Sequence, residues 1–358
     1  MTATPKAAAL RQPAEWLPHA ATWVAWPAAA DLWQDNLAPA QAAFTQLVQA
    51  IAPGEKLHIL VRNAAEERDA RAALGEQLFS AAPAGQLVSA PAGQADCVHI
   101  PYGDIWLRDI APIFFSSRAS VRFGFNGWGG KYVLPHDAQV AARVQAHVQA
   151  AGGGEAFVSE LVFEGGSVDV DGEGTALTTR QCLLNANRNP TFDEARITRE
   201  VCDALGLEKL LWLGDGLEND HTDGHIDNIA RFVAPATVAI MKPSGANDPN
   251  AKVYAQIKAD LRAARDAQGR KLELVEVPSP GRVEVEGKPV PASHLNFYIC
   301  NAAVIVPVYR TAYDEAAVRV IETCFPGRRT VAVDSRALLS GGGSFHCITQ
   351  QVPASEKT

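Results

Sequence analysis

Gly341-Gly342-Gly343-Ser344-Phe345-His346-Cys347-Ile348-Thr349-Gln350-Gln351 is the stretch around which the rest of this chain organises. Three consecutive glycines can take φ > 0 and turn sharply without a Cβ clash. A single cysteine, flanked by a histidine and an apolar residue, follows directly. A cysteine delivered by such a turn is a candidate nucleophile. The plain alternative is a structural thiol packed as a small hydrophobe.

Composition narrows the setting. The 358 residues are 47% hydrophobic and 20% charged, enough for a large core in one or two domains. Net charge is −8 and the pI about 5.6, with no basic concentration to suggest nucleic acid; an acidic surface favours a cationic ligand. Residues Met1 to Glu15 hold two prolines and no apolar run suited to a signal segment. No window approaches the roughly eighteen apolar residues of a membrane span. Cys97, Cys182, Cys202, Cys300, Cys324 and Cys347 lie far apart with no C-x-x-C pair, which argues against a zinc ribbon or a disulfide-stapled fold. A cytoplasmic protein with free thiols is expected.

Short apolar segments alternate with helical ones. Thr22–Trp26 reads as a strand stopped by Pro27, Ala38–Ile51 as a helix, Lys56–Val61 as a strand, and Ala64–Ala73 as a further charged helix. Helical patterns recur at Asp137–Ala150, Asp193–Leu205, Asn250–Ala267 and Tyr313–Cys324, separated by β-rich segments such as Thr237–Met241, Asn301–Val308 and Thr330–Val333. The last four helix centres are spaced by roughly 55–60 positions, as repeated supersecondary units would be. A doubly wound α/β sheet is the alternative, weakened because no Gly-x-Gly-x-x-Gly follows the first strand. With no linker or composition shift, residues 1–358 read as one domain, loose up to about Gln12 and after Val352.

Polar constellations lie between these elements. In Asp104-Ile105-Trp106-Leu107-Arg108-Asp109 the second aspartate sits where the chain runs into apolar Ala111–Phe115, so it needs a cationic partner from protein or ligand; Arg108 is the simple choice within the chain. Phe163-Glu164-Gly165-Gly166 puts a carboxylate at a strand end beside glycines, where a ligand can come close. Asn126-Gly127-Trp128-Gly129-Gly130-Lys131 is a glycine turn but a poor phosphate cradle, lacking the P-loop context. In Asp220 to Asn228, His221, Asp223, His225 and Asp227 alternate, so a strand would set all four on one face. They would then bind a metal, or one histidine would act as general acid/base beside an orienting carboxylate.

Taken together, these residues resemble the agmatine deiminase and bacterial peptidylarginine deiminase family. The matching motifs are Trp16-Leu17-Pro18-His19 to Trp26-Pro27, Trp106-Leu107-Arg108-Asp109, Phe163-Glu164-Gly165-Gly166, Asp223-Gly224-His225-Ile226-Asp227, and Gly341-Gly342-Gly343 through Cys347. The resemblance implies an α/β pentein fold, a five-bladed ββαβ propeller with pseudo-fivefold symmetry, in one domain. It implies Cys347 as nucleophile, His225 as general acid/base, and Asp109, Glu164 and Asp227 as guanidinium contacts. No metal or cofactor is implied, and His221 and His346 receive no role. Thr222-Asp223-Gly224 stands where many agmatine deiminases have Thr-Asn-Gly.

The chemistry fits those roles. A planar guanidinium is well held by carboxylates, and a thiol of reference pKa about 8.5 needs a cationic neighbour or the bound cation to become thiolate. Agmatine is the expected substrate, giving N-carbamoylputrescine and ammonia, with Trp106, Glu218 and Arg108 as candidate substrate contacts; free or peptidyl arginine is the alternative. The partner is thus a small cationic molecule, not nucleic acid or membrane, and a homo-oligomer is compatible with the sequence. A metallohydrolase on His221, Asp223, His225 and Asp227 would lose activity to a chelator and ignore thiol alkylation. A binding protein with a vestigial site would bind ligand without releasing ammonia. If Cys347 is the nucleophile, Cys347→Ala folds normally and loses at least about a thousandfold in turnover, with Cys347→Ser nearly as inactive. Near-normal ammonia release by Cys347→Ala would sink that role.

Overall fold

The computed structural model describes residues 4–80, 94–285 and 287–354. Strands β1 (His19–Ala25) and β2 (Lys56–Val61) pair in parallel, with the helix Leu37–Ile51 between them in sequence. The same crossover recurs for β5 (Ala119–Gly124) and β6 (Glu155–Val162), β8 (Thr175–Thr179) and β9 (Lys209–Leu213), β11 (Thr237–Lys242) and β12 (Glu273–Pro278), and β16 (Ala303–Val308) and β17 (Arg329–Asp334). Their helices are Asp137–Ala150, Glu194–Leu205, Ala251–Ala263 and Asp314–Cys324. Parallel neighbours need such a crossover because their ends lie a strand length apart.

Each pair gains an antiparallel strand on its other side. These are β4 (Ile113–Ser116), β7 (Asp169–Val170), β10 (Ala230–Ala234), β15 (Tyr298–Ile299) and, for the first pair, β18 (Gln350–Pro353). The first sheet alone adds β3 (Ala95–His99), and β13 (Glu284–Val285) with β14 (Lys288–Pro289) forms a small hairpin. The α/β class and the five ββαβ units match the periodicity of the sequence. The doubly wound alternative is overturned, because the strands form separate sheets rather than one.

Local chemistry sets the boundaries. The Asp193 side chain caps the helix Glu194–Leu205 through Arg196 N–H, and Gly206 ends it in the left-handed region at φ 69. The helix expected to reach Ala267 stops at Ala263, where Ala264 turns extended. Within the described residues 4–12, Lys6 and Gln12 N–H donate to the carbonyls of Asp203 and Leu205 at 3.1 and 2.9 Å. Ala354 N–H donates to Pro18 O, and residues 355–358 lie outside those described.

The functional consequence lies in β18. It closes the first sheet against β1, with Gln350 opposite Trp23 and Val352 opposite Ala21, so the last strand seals the first unit. That pairing fixes Cys347 three residues ahead of a strand end. Behind it, the helix Leu37–Ile51 buries Phe44 against Trp26, ring centroids 5.5 Å apart. Phe44→Ala is expected to cost about 3–5 kcal/mol, read as a lowered denaturant midpoint; a loss under about 1 kcal/mol would contradict this account of the packing.

Candidate active site

Asp109 lies in a single helical turn, Leu107–Ile110, just before β4. Its carboxylate accepts from Trp128 Nε1 and Gly166 N, both at 2.9 Å. Arg108 is not its partner. That side chain points the other way, donating to Gln351 Oε1 at 2.8 Å and His346 O at 3.3 Å, and it lies 3.4 Å from Glu15. Arg108 is buried outside the cavity that Cys347 lines, so it is not placed to meet substrate. The cation facing Asp109 is His225, with Nδ1 3.8 Å from Oδ1.

The segment around His225 is not a strand. Residues 220–225 form turns, Asp223 takes φ 66, and Ile226–Asn228 is a 3-10 turn, so alternation does not place four groups on one face. Asp223 instead pairs with Arg188 at 2.7 Å and with Lys131. His221 is exposed at the cavity mouth, its ring 5.6 Å from that of Tyr132. The four-residue metal set is therefore not assembled. A different trio, Glu164, Cys182 and His225, has ligand atoms within 4.8 Å of one another, but both Glu164 oxygens already accept from Arg188 Nε at 3.0 and 2.8 Å.

Glu164, His225 and Asp227 do come together, all fully buried. Glu164 Oε2 lies 3.9 Å from His225 Nε2. Because Arg188 occupies its oxygens, Glu164 faces the histidine rather than standing free to grip a ligand. Gly166 explains the tight assembly: a Cβ there would sit 2.6 Å from His225 Nδ1, 3.0 Å from Asp109 Oδ1 and 3.1 Å from Asp227 Oδ2. Only glycine permits that convergence.

Cys347 Sγ lies 3.6 Å from Asp227 Oδ2 and 3.2 Å from Asn296 Nδ2. Of the three glycines before it, Gly342 alone takes a positive φ, at 109. Gly343 serves space instead: its Cβ would lie 2.6 Å from the Trp106 ring and 3.1 Å from the sulfur. Cys347 opens onto a cavity of about 230 Å³ walled by Trp33, Trp106, Trp128 and Tyr132, with Asp104 and Asp109 as its carboxylates. Trp106 is thus where the sequence suggested. Glu218 is not: it is exposed and absent from the lining, its backbone N–H bound to Asn250.

The charges are interdependent. Burial disfavours the His225 imidazolium, but Asp109, Cys182 and Glu164 outweigh it and hold the pKa well above the ordinary value. Neither ring nitrogen has a hydrogen-bond partner among the described residues. Burial works against the Glu164 and Asp227 carboxylates too, yet His225 and Arg188 keep Glu164 ionised and the His346 hydrogen bond does so for Asp227. Burial, joined by Asp227 and Glu164, raises Asp109 despite His225. Burial also raises the Cys347 thiol, with Asp227 and Asp109 adding to it. Burial and the flanking carboxylates therefore favour the neutral thiol, and a cation bound among them would favour its ionisation.

The chain matches the Porphyromonas-type peptidyl-arginine deiminase family over residues 11–353. It belongs to that family. Among its relatives, an agmatine deiminase of Pseudomonas aeruginosa is 37% identical, with 99% of each chain covered. One from Ectopseudomonas mendocina is 36% identical, covering 99% of this chain and 98% of that one. The solved agmatine deiminase of Enterococcus faecalis superposes with a TM-score of 0.87 at 31% identity, covering 98% of each chain. No helix among the described residues of this family member is long and apolar enough to cross a membrane.

Several residues of this site carried no readable signal. Trp128 arrives from the glycine turn 126–131 at φ 52, which puts its indole N–H on Asp109. Arg188 and Asn296 sit in loops with no motif around them. Arg188→Ala leaves Glu164 without its partner in a dry site and is expected to cost about 3–5 kcal/mol. Denaturant unfolding checks this, and an unchanged midpoint would show that Glu164 does not depend on Arg188.

Proposed function

We propose that this protein hydrolyses the guanidinium group of a small cationic substrate, agmatine first, releasing ammonia and N-carbamoylputrescine. The packing of the Cys347 thiol, the buried His225 imidazole and the carboxylates of Asp109 and Asp227 against one another, with Cys347 and Asp109 facing the cavity and His225 and Asp227 buried behind it, carries the reading. The relatives named agmatine deiminase support it, as does a lining with two carboxylates and, among its residues, no lysine or arginine to receive a substrate carboxylate. We further read the five sheets as blades of a five-bladed ββαβ propeller in one domain.

In this mechanism the guanidinium supplies the missing cation. Asp109 and Asp227 hold it by its N–H groups, and its charge lowers the cost of ionising Cys347. As the cation binds, the Cys347 proton passes to solvent, and the thiolate attacks the central carbon. The His225 imidazolium then gives its proton to the departing nitrogen, and ammonia leaves an S-alkylthiouronium on Cys347. His225, now neutral, takes a proton from water, whose oxygen attacks the same carbon. Collapse expels the thiolate and leaves the ureido product. Glu164, held by Arg188, keeps His225 charged before the first transfer.

Trp106 forms a wall beside the sulfur, suited to the apolar stem of the substrate. Arg108 and Glu218 take no part in this scheme. The test is ammonia release from agmatine, free arginine and a peptide ending in arginine, compared by kcat/KM. Agmatine should lead by at least about tenfold, since an unpaired substrate carboxylate would lose a charged interaction. Equal or better turnover of arginine would overturn the substrate assignment. Activity lost to a chelator but insensitive to iodoacetamide would overturn the thiol mechanism.

A further inference from the structure

His346 precedes the cysteine yet has no part in the chemistry above. Its side chain is buried and spans two carboxylates, Nδ1 lying 2.8 Å from Asp227 Oδ2 and Nε2 2.8 Å from Glu15 Oε2. Both contacts are hydrogen bonds only when each ring nitrogen carries a proton. Glu15 cannot drift: Oε2 lies 3.1 Å from Arg231 Nη2 and 3.4 Å from Arg108 Nη2, and Oε1 accepts from Ile299 N at 2.9 Å. The His346 backbone is pinned as well, its N–H donating to Asn296 and its carbonyl accepting from Arg108.

The Asp227 oxygen that His346 holds is the one facing the thiol, 3.6 Å from Cys347 Sγ. The other, Oδ1, is buried and has no hydrogen-bond partner among the described residues. We propose that His346 is a positioning residue: it fixes the Asp227 carboxylate, keeping one oxygen bound beside the thiol and the other free for a substrate N–H. The part played by the substrate rests on the deiminase reading; the effect on the thiol does not. The groups facing Cys347 are Asp227, Asp109, Asn296 and the Ser344 backbone. Those facing the His346 ring are Asp227 and Glu15. With the imidazole gone, His225 and Arg231 still favour an ionised Asp227, so the sulfur faces that charge without the opposing imidazole and the carboxylate is free to rotate, both of which disfavour the thiolate.

The experiment measures iodoacetamide alkylation of Cys347, followed by peptide mass spectrometry, in wild type, His346→Ala, His346→Asn and His346→Gln. Between about pH 7 and 9, His346→Ala should react roughly three- to tenfold more slowly, the effect of half to one pKa unit. His346→Asn, whose amide can donate toward Asp227, should recover most of the rate, and His346→Gln should not. Alkylation of His346→Ala at the wild-type rate, or equal rates for the Asn and Gln variants, would overturn the proposal. If His346→Ala does not fold, the Asn and Gln comparison still decides it. With agmatine, His346→Ala should also raise KM, because a carboxylate contact is misplaced. Alkylation needs no turnover, so a wild type that releases no ammonia would refute the substrate assignment while leaving this result readable.

Discussion

A cationic imidazole buried in a dry site has to be surrounded by negative charge, and His225 imposes that requirement on the whole molecule. Ionising it away from water is affordable only because Asp109 and Glu164 face it at 3.8 and 3.9 Å. Those carboxylates flank a single three-stranded sheet, Asp109 preceding β4 and Glu164 following β6, while His225 lies just before β10 of another. Cys347 arrives just ahead of β18, the strand that closes the first sheet. The site thus exists only where the separate units meet.

Two chains of alternating charge hold it there. One runs from Lys131 through Asp223, Arg188 and Glu164 to His225. The other runs from Asp169 through Arg231, Glu15 and His346 to Asp227. Along both, the buried carboxylates face guanidinium or imidazole groups, the condition under which burial of charge is tolerated. The two chains nearly meet at Cys347, whose sulfur lies beside Asp227 and Asn296. Burial and the neighbouring Asp227 and Asp109 push the thiol pKa up, and a bound cation would favour its ionisation.

Glycine does two different jobs in this assembly. Gly342 supplies a backbone angle that other residues resist, whereas Gly343 and Gly166 supply room for neighbours that nearly touch their Cα atoms. From sequence both look like flexible turns. The tertiary contacts show rigid, close packing against Trp106 in one case and against His225, Asp109 and Asp227 in the other.

Helices and strands were legible from the sequence because they depend on local periodicity and caps, and the five-unit rhythm followed from them. Asp109, Glu164, His225, Asp227 and Cys347 could be picked out as candidates as well, since each sits in a short motif of unusual composition. What failed depended on direction. Arg108 next to Asp109, and the alternation from His221 to Asp227, suggested partners that the backbone turns apart. Arg188, Trp128, Asn296 and Glu15 could not be seen, because an ion pair or hydrogen bond between residues far apart in the chain leaves no local pattern. The sequence by itself determined which groups stand as candidates for chemistry and how the units repeat. Only the tertiary structure decided which charge answers which, because electrostatic pairing acts through space and is indifferent to order along the chain.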